Sequence, residues 1–137
     1  TACTEDLVVV RFSGIYGPGR ERLIRQSVSK GLEIQRFPPY FTNRIHRDDA
    51  AEVLKHLLQI DQPEALYLAS DNQPAPRYDV VKWLAGMQGS AAPTGLNAHQ
   101  ASCGKRVDNQ RLLDSGFVMS YPDYRAGYAA VLKTSEK

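Results

Sequence analysis

The sequence predicts an α/β protein that carries part of a larger parallel sheet, and three observations lead there. Leu7-Val8-Val9-Val10 is a continuous, mostly β-branched apolar run, the pattern of a strand covered on both faces. It passes through Arg11 into Phe12-Ser13-Gly14-Ile15-Tyr16-Gly17-Pro18-Gly19, a strand-to-loop junction of the kind at which α/β proteins bind ligands. Beyond it the periodicity yields one further clear strand among several helices, too few for a complete doubly wound sheet of alternating βα units. A small α+β domain and a sheet whose other strands lie elsewhere both satisfy this. A doubly covered strand with nothing before it to supply neighbours favours the second.

Each later element has its own local reason. Arg20 to Lys30 reads as a helix with Leu23, Ile24 and Val28 on its apolar side and Gly31 as its stop. Leu32 to Phe37 is extended, Pro38-Pro39 breaks any regular element, and Tyr40 to His46 is irregular or strand-like. The next helix begins where Asp48 or Asp49 can cap it, and Ala50, Val53, Leu54, Leu57 and Leu58 recur down one face. Leu66 to Ala69 is a short strand closing at Ser70-Asp71-Asn72, and a proline-rich turn follows. Val80, Trp83, Leu84 and Met87 mark an amphipathic helix over Tyr78 to Met87. Gly89 to Ser102 has no periodicity and reads as a long loop. A short helix from Asn109, its expected cap, to Ser115 stops at Gly116, and a last helix covers about Asp123 to Lys133.

Composition narrows the function classes. A net charge of +2 is too small to argue for nucleic acid. No apolar run approaches the ~20 residues that cross a bilayer, and no basic-then-apolar leader is present, so neither membrane association nor export is expected. Cys3 and Cys103 are far apart and read most simply as free thiols in a reducing compartment, with a disulfide as the other reading, so a cytoplasmic location is expected. Arginine outnumbers lysine by 11 to 6, and Arg20, Arg22, Arg25, Arg36, Arg44 and Arg47 fall in one region. Their planar forks suit carboxylate or phosphate recognition, so an anionic small ligand is one reading; a solvated face with scattered ion pairs is the other.

Two motifs compete for the chemistry and fail. The glycines give G-x-x-G-x-G, not the dinucleotide fingerprint G-x-G-x-x-G, and Pro18 removes an N–H that could meet phosphate. Tyr78-Asp79-Val80-Val81-Lys82 matches Y-x-x-x-K, but helical periodicity already accounts for Tyr78 and Lys82 as ordinary helix residues.

The string Arg11-x-x-x-x-Tyr16-Gly17-Pro18-Gly19, followed by Asn43-Arg44-Ile45-His46-Arg47-Asp48-Asp49-Ala50-Ala51, resembles the extended short-chain dehydrogenase/reductase family, the NAD(P)-dependent epimerases and dehydratases. Gly104-Lys105-Arg106-Val107-x-Asn109-x-Arg111-Leu112-Leu113-x-x-Gly116-Phe117 and Tyr121-Pro122 resemble a bacterial branch of it. The resemblance spans nearly the whole chain but only the C-terminal half of the family's fold. It implies an α/β fragment of a Rossmann-type protein: a late sheet strand and Gly/Pro loop over 1–18, then a small, mostly helical substrate-binding lobe over 19–137, with about 64–70 as a further sheet strand. In that family the nucleotide fingerprint and the Tyr-Lys pair precede the R-x-x-x-x-Y-G-P strand. The chain is therefore expected to hold no catalytic residue, and the Tyr78 pair lies on the wrong side of the motif.

By the same resemblance, Phe12 and Ser13 border the nicotinamide of NAD or NADP, which is bound mainly by the N-terminal portion, and Gly14 marks where substrate begins. Tyr16, Arg20, Arg44 and His46 are the further candidate substrate contacts; no metal is expected. The family commonly carries Asn where Gly14 stands and Arg where Thr42 stands, and both departures weaken a nucleotide-sugar ligand. Arg44 and His46 face the same side of an extended segment as Thr42 and can compensate. His46 reads equally as a structural histidine, and Asp48 and Asp49 as helix caps.

The expected function is thus the substrate-binding portion of an NAD(P)-dependent epimerase, dehydratase or reductase acting on a small polar, sugar-nucleotide-like substrate. The portion would be inactive alone, with the N-terminal half of the fold as its partner and a homodimer as a further option. The alternative is a non-catalytic sensor on the same fold. A nucleic-acid module built on the arginine-rich stretch is set aside for lack of charge.

Overall fold

The computed structural model describes residues 7–98 and 102–135. Within them the strands pair two by two. β1 (Val9–Phe12) runs parallel to β6 (Leu66–Ala69), with Val9 opposite Leu66 and Phe12 opposite Ala69. β2 (Gly14–Tyr16) runs parallel to β5 (Arg44–His46), Gly14 opposite Arg44 and Tyr16 opposite His46. β3 (Glu33–Phe37) runs parallel to β8 (Thr94–Asn97), and β4 (Phe41–Thr42) antiparallel to β7 (Ala75–Pro76). The helices are α1 (Arg22–Ser27), α2 (Arg47–Gln59), α3 (Arg77–Met87), α4 (Gln110–Asp114) and α5 (Tyr124–Ser135). No described helix is long and apolar enough to cross a membrane.

The apolar spacing of the helices decides what covers what. Ala50, Val53 and Leu57 of α2 form one core with Ile45, Tyr67 and Leu112, joining the β1–β6 and β2–β5 pairs. Val80 and Leu84 of α3 pack with Tyr124, Tyr128 and Val131 of α5 in a second, under which Tyr16 is also buried. Val81 and Tyr78, on the adjacent face of α3, close a third over Ile34 of β3. Burial of each such side chain stabilises the fold by about 1.5–3 kcal/mol.

Several expectations are corrected. The apolar run at the start is not covered on both faces by the described residues: Val8, Val10 and Phe12 pack against the first core, whereas Leu7 is 67% and Val9 43% exposed on the other face. The first helix covers only Arg22–Ser27; residues 17–20 are drawn into a turn in which the Arg20 N–H donates to the Gly17 carbonyl at 2.8 Å. In α2 the cap is His46, whose Nδ1 accepts the Asp48 N–H at 3.0 Å, and not Asp48 or Asp49. Leu54 and Leu58 lie off its buried face. Asn109 stands at the cap position of α4 but does not cap it; its side chain donates to the Ser70 carbonyl and to Asn72 Oδ1, both at 2.8 Å.

The stretch read as a long loop contains β8, whose four residues are all exposed, so no buried face could print a period into the sequence. Gly104 shows why that stretch returns to the fold: its φ is +72°, and a Cβ there would meet the Phe41 carbonyl, so the chain approaches β4 at a point only glycine can occupy. The neighbouring Cys103 is free and exposed, and Cys3 lies outside the described residues.

Candidate functional site

A cleft of about 380 Å³ opens where β2, α1, β5, the start of α3 and α5 meet. Its construction begins with the β2–β5 register, which sets Gly14 beside Arg44 and Tyr16 beside His46. Strand pleat then alternates the side chains. Ile45 goes into the core, while Arg44 and Tyr16 wall the cleft and Ile15 is shared between its lining and the first core. The turn after β2 carries Arg20 to the mouth. Arg47 holds that turn, donating to the Pro18 carbonyl at 2.6 Å and laying its methylenes on Gly17. Arg22, Leu23 and Gln26 of α1 form one wall, and Arg77 of α3 reaches over to donate to Gln26 Oε1 at 3.2 Å.

Four arginines (Arg20, Arg22, Arg44 and Arg77) thus line the cleft, and no carboxylate is among its lining residues. Arg20 and Arg22 are exposed at the mouth, whereas Arg44 is buried at the back. Arg44 Nη2 donates to Thr42 Oγ1, its guanidinium lies 5.7 Å from the Tyr124 ring centroid, and Nη1 has no hydrogen-bond partner. Behind it sits Asp71, also buried, whose backbone N–H donates to the Arg44 carbonyl at 2.8 Å. Asp71 Oδ1 accepts the Gln73 N–H at 3.0 Å and Oδ2 has no partner. Burial raises the Asp71 carboxyl to about 7 against the pull of the Gln73 N–H and Arg44.

The Tyr16 hydroxyl is the third buried polar group here without a partner. Its ring stacks on Tyr128 with centroids 4.2 Å apart. Burial, with Asp71 adding to it, pushes the Tyr16 phenol far above its ordinary range, and burial likewise raises Tyr128. Both rings therefore remain neutral hydrogen-bonding groups at any physiological pH.

Gly14, Tyr16, Arg20 and Arg44 are brought together in this cleft, and the other sequence candidates are not. His46 is buried outside its lining, stacked on Tyr121 at 4.0 Å between centroids and edge-on to Tyr16 at 5.4 Å. The Nδ1 of His46 is spent on the helix cap, and burial lowers its pKa. Phe12 and Ser13 stand at the end of β1, where the Ser13 N–H donates to the Ala69 carbonyl at 3.0 Å. Phe12 is half-buried against the first core.

The clustered arginines divide. Arg36 lies 4.7 Å from the Tyr78 ring centroid and Arg47 serves the Gly17-Pro18 turn, so neither lines the cleft. Sequence reasoning missed Arg77 and Asp71. Arg77 arrives from beyond the proline turn with no periodic signal, and Asp71 reads locally as a turn residue. A larger cleft of about 510 Å³, floored by Trp83 and Met87, holds none of the predicted residues. Among the described residues no cluster of His, Cys, Asp and Glu is arranged to hold a metal ion.

The glycine loop does not cradle phosphate. The Gly17 N–H faces the Arg20 carbonyl, the Gly19 N–H donates to Glu21 Oε2 at 3.2 Å, and Pro18 has no N–H. Its amides are committed to shaping the turn.

Neither a protein-family profile nor a curated protein matches this chain. Solved structures do. A protein from Methylobacillus flagellatus carrying a provisional NAD-dependent epimerase/dehydratase name is 42% identical, with a TM-score of 0.80 over 95% of this chain and 48% of its own. A conserved protein of unknown function from Silicibacter pomeroyi is 32% identical, with a TM-score of 0.78 over 96% of this chain and 50% of its own. A human epimerase family protein solved with NADPH shares the fold at 20% identity, with a TM-score of 0.73 over 92% of this chain and 48% of its own. The chain spans about half the length of the solved structures it matches, consistent with a C-terminal portion of their fold.

Proposed function

We propose that this chain, which belongs to the extended short-chain dehydrogenase/reductase family of NAD-dependent epimerases and dehydratases, is the portion that holds and orients a small, polar, anionic substrate. The observation that carries the reading is the convergence of Arg20, Arg22, Arg44 and Arg77 on one cleft without an opposing carboxylate in its lining. Guanidinium forks recognise phosphate and carboxylate bidentately, and a half-enclosed site strengthens them. A sugar-nucleotide-like substrate fits this charge, although Gly14 and Thr42 stand where the family commonly places polar grips. On this reading the late sheet strand and its loop fall within 1–18, the substrate lobe within 19–137, and a further sheet strand within about 64–70.

NAD or NADP, when bound, supplies hydride transfer at the nicotinamide ring. This chain offers that group only the end of β1, through Phe12 and Ser13, since the amides of the Gly17 to Gly19 turn are occupied. The phosphate cradle and the proton-transferring Tyr-Lys pair are assigned to the N-terminal portion, the partner whose strands would cover the exposed Leu7 and Val9. What this chain contributes is orientation: the arginines fix the anionic end and the neutral Tyr16 and Tyr128 rings shape the wall, so that the reacting carbon is presented toward the end of β1. Alone, it is inactive. The exposed free thiol of Cys103 suits a reducing compartment such as the cytoplasm.

Calorimetric titration with pyrophosphate and with NAD and NADP tests the reading. Pyrophosphate is expected to bind, and Arg20→Ala or Arg77→Ala to weaken it by about tenfold each. Pyrophosphate affinity unchanged in both variants, or micromolar NAD(P) binding by this chain, overturns it.

A further inference from the structure

We propose that Asp71 is a positioning residue for the cleft, a buried counter-charge behind Arg44 whose ionisation sets how strongly the cleft holds an anion. The inference rests on the cleft being an anion site, as proposed above.

Two buried side chains of opposite charge sit on backbones joined by a hydrogen bond, with no ion pair between them. The Asp71 N–H to Arg44 carbonyl bond fixes the two backbones at 2.8 Å where β5 and the end of β6 run together. Both side chains are buried, at 5% exposure for Arg44 and 1% for Asp71. Arg44 Nη1 and Asp71 Oδ2 are each left without a hydrogen-bond partner, and no ion pair joins them. Arg44 is directed by Thr42 and Tyr124 and lines the cleft, while Asp71 does not. The carboxylate thus stands out of contact with the ligand and acts on it through the field that it and Arg44 together set at the back of the cleft.

The groups that act on Asp71 come from every element around it. Arg44 of β5 and the Gln73 N–H favour its ionised form; Asp123 ahead of α5 and Asp49 of α2 oppose it. The phenols of Tyr16 on β2 and Tyr128 on α5 are within electrostatic reach and stay neutral. Near neutral pH the carboxyl is therefore poised between two states. Ionised, it leaves the back of the cleft with a compensated Arg44. Protonated, it leaves Arg44 as an uncompensated cation facing the ligand, in buried surroundings where charges are only partly screened. By linkage, whatever anion Arg44 binds must in turn favour the protonated carboxyl.

The test uses sulfate, whose own charge is constant from pH 6 to pH 9, followed by chemical shifts of the cleft tyrosines and arginines. Sulfate affinity of the unaltered chain is expected to fall by about tenfold as pH rises from about 6 to about 8.5. Asp71→Asn, which keeps the acceptor for the Gln73 N–H, is expected to bind sulfate tightly and with little pH dependence. In the unaltered chain, saturating sulfate should also move the Asp71 carboxyl-carbon titration to higher pH. This measurement stands even if the variant fails to fold. Sulfate affinity that is flat with pH, together with an Asp71 titration unmoved by sulfate, overturns the role of Asp71 while leaving the anion site intact. No sulfate binding in the cleft at any pH overturns both.

Discussion

Gly127 lies directly against the phenolic oxygen of Tyr16, so that a Cβ on Gly127 would fall on the Tyr16 hydroxyl. This one contact ties the C-terminal helix to the strand at the start of the chain and sets the depth at which the Tyr16 ring stacks on Tyr128. Gly127 is a weak helix former inside α5, and the close approach is what it serves.

Gly127→Ala is accordingly expected to destabilise the fold by about 1–3 kcal/mol through overpacking, despite the better helix propensity of alanine. Gly86 in α3, which a Cβ would leave in open space, is the control. Gly86→Ala should be neutral or stabilising by up to about 1 kcal/mol. Urea denaturation of both variants decides the matter, and similar effects at the two positions would refute the Tyr16 contact.

Asp49 should behave as a buried anchor. Its carboxylate accepts the Ser120 N–H at 3.0 Å and the Tyr121 N–H at 2.8 Å, holding the segment whose Tyr121 ring covers His46. Asp49→Ala leaves those two donors unmatched and is expected to cost about 2–4 kcal/mol. Asp48→Ala, at an exposed position in the same helical turn, should cost less than about 1 kcal/mol. Equal losses at the two positions would restore the simple capping role.

The pH dependence of stability contains two opposing contributions. Asp71, raised to about 7 from an ordinary carboxyl value of 3.8, binds more protons folded than unfolded between those limits, so its contribution erodes stability as pH climbs from about 4 to about 8. His46, lowered by burial, binds fewer protons folded than unfolded. Its contribution is fully present above the unfolded value of 6.5 and is lost as pH falls below it. Asp71→Asn should therefore raise stability at pH 8 by roughly 2–4 kcal/mol and leave the His46 loss at acid pH in place. Denaturant midpoints across pH 5 to 8 measure both slopes.

Gly14 is a lining residue with room to spare. A Cβ on Gly14 would sit 3.6 Å from the Asn43 carbonyl, an ordinary contact. Gly14→Ala is expected to leave stability within about 0.5 kcal/mol. Gly14→Asn, which restores the polar side chain common in the family, should leave stability similar and change pyrophosphate affinity. Loss of folding in the alanine variant would show that the glycine is structural.

Legibility followed burial. β6 is legible as a short continuous apolar run, and the long helices α2 and α3 by apolar residues that recur at helical spacing. β8 is not, since all four of its residues are exposed and its pairing with β3 comes from the backbone alone. Capping was misassigned for a related reason. Asp48, Asp49 and Asn109 are residue types that favour helix starts, but the tertiary structure offered Asp49 and Asn109 distant amides and carbonyls and placed the His46 imidazole where it could cap instead.

The chain's own order of residues determined the strand-to-loop junction, the family resemblance, and four of the cleft residues, Gly14, Tyr16, Arg20 and Arg44. All four lie within two short segments whose strands pair. Tertiary structure alone decided that Arg77 joins them, that Arg36 and Arg47 turn away, and that Asp71 stands behind Arg44. The reason is range: periodicity and turn chemistry act over a few residues, whereas the electrostatics of a site depend on which charges the folded chain brings together from far apart in sequence.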